Sequence, residues 1–279
     1  MTAMENITGW CRGASVVALL GVLTGCGKPD SLPSPDQDAE PEVIIEPAVS
    51  SGADSEASVE SDVPILAQAL DGAEEFKAWL TDNPEGASFG EAGDVVDCGK
   101  IGAQLKEGSY AISAWIRLDK ITPAFADLNK ISGGLQTIVG NGARSNHGYY
   151  HEGLPGYWFA VNGNKLVHIM SDNESSNIAK GRAITKGTVS IPSNSWTHVM
   201  VSVDRSDHSV AFFVNGEPDA VTGDCSWIKT QTSNVPFTIG AMTPEGKAPL
   251  NGRIARVRLF RGVMTAEAAK ILYRQDRLP

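Results

Sequence analysis

The 279-residue sequence predicts an all-β domain, an antiparallel sandwich of two sheets with short flanking helices. Three observations predict it. Apolar and polar residues alternate in "SYAISAWIRL" and "WTHVMVSVD", the period of a strand with one buried face. Asn162-Gly163 and Asn215-Gly216 stand between strand-like runs, and both residue types tolerate the positive backbone angle of a tight hairpin. Such runs recur roughly every ten residues as far as Phe260, the spacing of a sandwich rather than of βαβ units.

From the amino terminus, residues 14–23 ("ASVVALLGVL") form an apolar run about half the length of a bilayer-spanning helix, which needs roughly twenty residues. Arg12 precedes the run and small residues follow it, so residues 1–25 are expected to be a secretory signal peptide. Leu23-Thr24-Gly25-Cys26 resembles the bacterial lipobox. The resemblance implies cleavage before Cys26 and a diacylglycerol on its thiol, which makes Cys26 the expected lipidation site and the lipid bilayer an expected partner. Each buried methylene of an acyl chain contributes about 0.8 kcal/mol, and more than one chain gives a stable anchor. Gly27 follows the cysteine where retention at the inner membrane is associated with aspartate. The bacterial cell envelope, at the outer membrane on its periplasmic or surface face, is the expected location.

Residues 26–62 read as a disordered acidic linker rich in Pro and Ser. Ten acids and no lysine or arginine fall between residues 29 and 62, a composition that cannot bury enough surface to offset chain entropy and that repels itself into extension. The formal net charge of the whole chain is -10, so the remainder is close to neutral. Residues 63–279 carry 22 acids against 21 bases, with no basic footprint for nucleic acid. Over residues 63–84, Leu66, Leu70 and Ala73, then Phe76, Trp79 and Leu80, recur at helical intervals, which predicts a short helical segment. The body of the sandwich occupies 85–279. Its carboxyl end departs from strand periodicity: Thr265 can cap a short helix, "AEAAKILYRQ", with Ile271 and Leu272 turned inward.

The order of the segments "ASFGEAGDVVDCG", "YAISAWIRL", "QTIVGNG", "GYWFAVNGNKL", "SWTHVMVSVDRSDHSVAFFVNGEP", "FTIGAM" and "LNGRIARVRLFRGVMTAEAAKILY" resembles a laminin G-like domain of the concanavalin A-like type over residues 87–273. The most specific segments are Trp196-Thr197-His198-Val199 and Phe213-Val214-Asn215-Gly216. The resemblance implies a concanavalin A-like jelly roll whose concave sheet and rim loops take ligands.

Hydrolases of this fold set two carboxylates on one strand, about 5 to 5.5 Å apart for retention. No strand supplies that pattern; Glu91, Asp94 and Asp97 are spaced by three, which alternates faces. No nucleophile elbow or cysteine-histidine pair is present, so no catalytic residue is assigned and the chain is not expected to be an enzyme. Carboxylates brought together from distant segments would leave no local spacing, which keeps a glycoside hydrolase as the lesser alternative. Family members hold calcium with an aspartate after Gly-x-Ile, where this chain has Gly252-Arg253-Ile254-Ala255. Ala255 cannot ligate through its side chain, so no metal or cofactor is expected, with backbone carbonyls and Asp94 the remaining donors for a structural calcium. Arg253, Arg256, Arg258 and Arg261 read as a solvated strand face.

The ligand-binding candidates are Tyr149, Tyr150, His151, Tyr157 and Trp158, bunched among glycines in "GYYHEGLPGYW", because aromatic faces with polar edges suit sugars and peptides. Trp158 and Phe159 also begin a strand, which sends at least one of them into the core. Trp115 and Trp196 read as packing residues. With Cys11 in the signal peptide, Cys98 and Cys225 are the remaining thiols, and an exported compartment permits a disulfide between them. Such a loop-closing bond contributes up to about 4.7 kcal/mol; the alternative is a pair of buried free cysteines. The expected function is a membrane-anchored, extracytoplasmic, noncatalytic binding module for a carbohydrate or an envelope or extracellular protein. A structural surface protein without a small ligand is the alternative from another class.

Overall fold

The computed structural model describes residues 73–128 (except 92 and 106), 135–142, 156–172 and 182–278 (except 232 and 234). The signal segment 1–25, Cys26, the linker 26–62, and Tyr149, Tyr150 and His151 lie outside the described residues. Two antiparallel sheets face each other. The first runs in the order β1 (Glu74–Trp79), β13 (Gly252–Arg261), β4 (Tyr110–Leu118), β9 (Thr197–Asp204), β10 (Ser209–Val214), β11 (Glu217–Asp224), with β2 (Ala87–Phe89) also on β13. The second runs β3 (Val96–Asp97), β12 (Thr238–Ile239), β5 (Leu135–Gly142), β6 (Gly156–Asn162), β7 (Lys165–Ser171), β8 (Arg182–Ser190).

Alternation in the sequence becomes the two faces of the first sheet. Tyr110, Ile112, Ala114, Ile116 and Leu118 of β4 and Val199, Val201 and Val203 of β9 point into the core between the sheets. Phe159 of β6 stacks on Phe212 of β10 across it, with ring centroids 6.1 Å apart. The opposite face of β4 is also covered. Ala111, Met200, Phe213 and Phe260 are buried against Met264, Ala268, Ala269 and Leu272 of the closing helix α1 (Ala266–Gln275). Thr265 caps that helix as the sequence predicts, its hydroxyl accepting from the Ala268 amide at 3.2 Å.

Both hairpin signals mark turns, with one displaced by a residue. Asn215 and Gly216 have φ of 51° and 79°, the two positive values of a type I′ turn. At the other hairpin Asn162 pairs with Lys165, so the central residues are Gly163 and Asn164. Only Gly163 carries a positive φ, 65°, and Asn162 instead uses its side chain to accept from the Phe125 amide at 2.6 Å and donate to the Phe125 carbonyl at 3.0 Å.

The helix expected within residues 63–84 is corrected over its described part. Glu74–Trp79 is a strand paired with β13. A register shift between Glu75 and Lys77 leaves Phe76 out of the pairing, and a bulge of this kind breaks the period of two that would have identified a strand. Phe76 then lies under the Arg261 guanidinium, 3.7 Å from the ring centroid, while Trp79 stacks on Phe237 at 5.3 Å. Tertiary pairing outweighs the local helical spacing.

Polar ties fasten the layers. The Asp219 carboxylate on β11 accepts from the Thr188 amide at 2.7 Å, the Val189 amide at 3.0 Å and the Thr188 hydroxyl at 2.5 Å, joining the edges of the two sheets. Burial works to raise its pKa, but those hydrogen bonds outweigh it and hold the carboxyl below its ordinary value. Arg258 of β13 donates to Asp276, just past α1, at 2.6 and 2.7 Å and also pairs with Glu75 of β1. Burial opposes the charge on Arg258; the two carboxylates override it and raise its pKa. The four arginines of β13 are therefore not a uniform solvated face.

The disulfide expected between Cys98 and Cys225 is also corrected: among the described residues neither is bonded to another cysteine. Each has separate surroundings. Cys98 Sγ approaches the Val96 carbonyl at 3.9 Å, and burial, with the Asp97 charge, pushes its thiol up to about 12. Cys225 is fully buried, and Arg205 donates toward its sulfur at 3.8 Å.

Candidate functional site

The turn between β1 and β2 begins the site. Asn83 accepts from the Gly86 amide through its carbonyl at 3.0 Å and from the Glu85 amide through its side chain at 3.1 Å, the Asx-type closure that this residue favours. Gly86, at φ 69°, ends the turn with no room for a side chain: a Cβ there would sit 2.6 Å from the Ile254 carbonyl oxygen and 2.8 Å from the Trp196 ring. Glycine thus lets the turn close onto both β13 and Trp196.

Strand register supplies the floor. Arg253 of β13 is directly opposite Arg117 of β4, and their neighbours Ile254 and Ile116 point into the core, so both arginines stand on the outer face. Trp196 immediately precedes β9, where Thr197 pairs with Ile116. Together Pro84, Glu85, Arg117, Trp196 and Arg253 line an open cleft of about 510 Å³. One row further along the same face, Trp115 and Ala255 are buried beside Leu278 and Tyr273. The carboxyl-terminal segment therefore covers that row and leaves the arginine row open.

The charges in the cleft are loosely matched. Arg117 Nη2 lies 3.5 Å from Asp119 Oδ1, and Arg253 Nη1 lies 3.8 Å from Glu85 Oε2 while donating to the Glu85 carbonyl at 3.1 Å. Nε of Arg117 is shielded from solvent and has no hydrogen-bond acceptor among the described residues. The arrangement offers guanidinium donors, an indole and a carboxylate that is 85% exposed, which suits recognition of a polar ligand with an apolar face.

The residues proposed from sequence behave differently. Tyr157 and Trp158 are 1% and 0% exposed because β6 sends one to each face and both faces are covered. Tyr157 joins the inter-sheet core, 4.8 Å from Tyr110, and Trp158 packs with Leu128, Leu135, Val167, Ile169 and Met242 on the other side. Neither ring is open to a ligand. Asp94, the residue left open for calcium, accepts from the Gly90 and Glu91 amides at 3.0 and 2.8 Å as a turn closure, and Ala255 is fully buried. Among the described residues, no group of three or more His, Cys, Asp or Glu side chains is arranged to hold a metal ion. Sequence reasoning missed the cleft: Trp196 does pack against the Trp115 cluster, as read, but it also lines the opening, and Arg253 read only as part of a solvated face. It also missed Trp227, 42% exposed with its indole N–H donating to the Arg182 carbonyl at 2.8 Å.

Comparison with known proteins fixes the family. A model of the concanavalin A-like lectin/glucanases superfamily, Laminin_G_3, matches residues 90–270. The chain belongs to this superfamily. Its two-sheet sandwich is the superfamily's jelly roll. Among solved structures, the Ruminococcus gnavus IT-sialidase CBM40 bound to α2,3-sialyllactose is similar, with a TM-score of 0.51 and 13% identity over 72% of this chain and 99% of that one. The same module bound to α2,6-sialyllactose gives 0.51 and 13% over 71% and 99%. A further structure of that CBM40 gives 0.50 and 13% over 72% and 100%. At such identity the likeness is one of fold within the superfamily. No curated protein matches the sequence.

Proposed function

We propose that the chain is a noncatalytic binding module of the bacterial cell envelope that recognises a carbohydrate through the Arg117–Trp196–Arg253 cleft. The carrying observation is the open row itself: two arginines directly opposite each other beside a partly exposed tryptophan, on a sheet face whose adjoining Trp115–Ala255 row is covered. Membership of a superfamily of lectins and glucanases, and a fold shared with a sialyllactose-bound module, support a glycan over other ligands. Fold alone cannot choose among functions, so the cleft chemistry bears the weight. The noncatalytic reading rests on the strand carboxylates: β11 carries Glu217 and Asp219 two residues apart, which the sequence reading passed over, but Asp219 is engaged by the Thr188 and Val189 amides as a tie between the sheets and leaves no free acid–nucleophile pair there. Tyr149, Tyr150 and His151 are retained as a second ligand contact on sequence grounds.

Anchorage belongs to the same proposal. An acylated Cys26 holds the module to the outer membrane, and the acidic linker keeps it clear of the bilayer. Labelling of cells with radioactive palmitate is expected to mark the chain and to fail for Cys26→Ser; label in the variant would reject the anchor.

A glycan array probed with the full chain in detergent tests the ligand. Saturable binding is expected, weakened about tenfold by Trp196→Ala, the loss of one aromatic platform. Silence across the array would favour a structural surface protein, and released sugar would favour a hydrolase.

A further inference from the structure

We propose that the cleft selects a saccharide bearing a carboxylate, whose two oxygens bridge Arg117 and Arg253. This rests on the reading of the cleft as a carbohydrate site.

Like charges directly opposite in an antiparallel pair destabilise a sheet, yet Arg117 and Arg253 occupy such a pair. Their own counter-charges do little to relieve it. Asp119 and Glu85 stand off at 3.5 and 3.8 Å, whereas a charge-assisted hydrogen bond to a carboxylate closes to about 2.7–2.9 Å. Arg258, on the same strand as Arg253, shows the matched state, with donors 2.6 and 2.7 Å from Asp276. The two cleft arginines thus keep guanidinium donors for an acceptor from outside, and a planar fork is the geometry that recognises a carboxylate.

The surroundings narrow the ligand further. The Trp196 ring beside the arginines offers a face for the C–H side of a pyranose, and Glu85, exposed at the rim, can accept from hydroxyls. Both Glu85 and Asp119 repel a second negative charge. With 22 acids against 21 bases in residues 63–279, the domain also lacks the field that gathers polyanions. A sugar with one carboxylate among neutral hydroxyls fits; a sulfated polymer or a nucleic acid does not.

The test is isothermal titration of the full chain in detergent with glucuronosyl-xylotriose and with xylotriose, which differ by the acidic residue, at low and at physiological salt. The acidic sugar is expected to bind at least tenfold more tightly, with the advantage shrinking as salt rises. Arg117→Gln and Arg253→Gln should each abolish the preference. Arg117→Lys, which keeps the charge and loses the fork, should cut it severalfold, and Asp119→Asn, which removes the competing carboxylate, should enlarge it. Each variant is accompanied by its melting curve, so that Asp119→Asn and Arg117→Lys report even if a glutamine variant unfolds. Equal saturable binding of the two sugars would overturn the carboxylate inference and leave the carbohydrate site standing. Binding of neither sugar, or of tetraglutamate in preference to both, would overturn the two together.

Discussion

Lowering the pH from 7 to 5 is expected to cost the folded domain about 4 kcal/mol, roughly half from each of two histidines. His168 of β7 and His198 of β9 are both fully buried. Burial lowers the pKa of His168 from 6.5 to about 3. It lowers that of His198 to about 4, with Asp276 favouring the charged ring and Arg258 opposing it. Between pH 6.5 and these folded values the unfolded chain takes up both protons and the folded chain takes neither, so stability falls as pH falls. The loss begins near pH 6.5 and is complete only below about 4 for His198 and about 3 for His168. His168 has one satisfied nitrogen, Nε2, which shares a 3.1 Å hydrogen bond with the Tyr110 hydroxyl; Nδ1 has no partner among the described residues. Neither nitrogen of His198 has one among the described residues, its ring packing against both Trp115 and Tyr273 at 5.5 and 5.9 Å. Urea unfolding at a series of pH values measures the effect, and His198→Phe should remove about one proton's worth of slope. A stability that stays level between pH 7 and 5 would contradict the argument.

Gly252→Ala is expected to destabilise by on the order of 3 kcal/mol or more, from backbone strain and a steric clash together. Gly252 opens β13 at φ 152°, and a Cβ there would lie 2.0 Å from the Arg117 carbonyl oxygen. The obstructing atom is backbone in the adjacent strand, so no side-chain rotation relieves it. The strands would have to part at the point where Arg253 and Arg117 face each other. The same substitution should therefore weaken ligand binding as well as folding. Urea midpoints with an unchanged denaturant slope measure the first effect, and titration of the variant well below its unfolding transition measures the second. An unfolding free energy within about 0.5 kcal/mol of the parent would show that the strand opens by another path.

What could be read from the sequence was what neighbouring residues decide among themselves. The alternation of β4 and β9, the Asn215-Gly216 turn and the Thr265 cap all depend on contacts a few residues apart, and each stands where the sequence placed it. Strand β1 was hidden because its partner, β13, lies at the far end of the chain and the bulge at Phe76 erased its period. Tyr157 and Trp158 were misleading for a related reason. A strand buried on one face would have exposed one of them, but the second apolar cluster covers the other face of β6. The cleft was the least legible feature. Arg117, Trp196 and Arg253 are ordinary residues in their local contexts and acquire meaning only through the pairing of β4 with β13 and β9.

Arg258 carries a consequence for where the domain ends. One guanidinium joins Glu75 near the start of the described body to Asp276 near its finish, although the superfamily match spans only 90–270. A fragment cut to the matched span would strand a cation on the sheet without either counter-ion. The cooperative unit therefore reaches beyond the homologous one at both borders, and its two extremities secure each other.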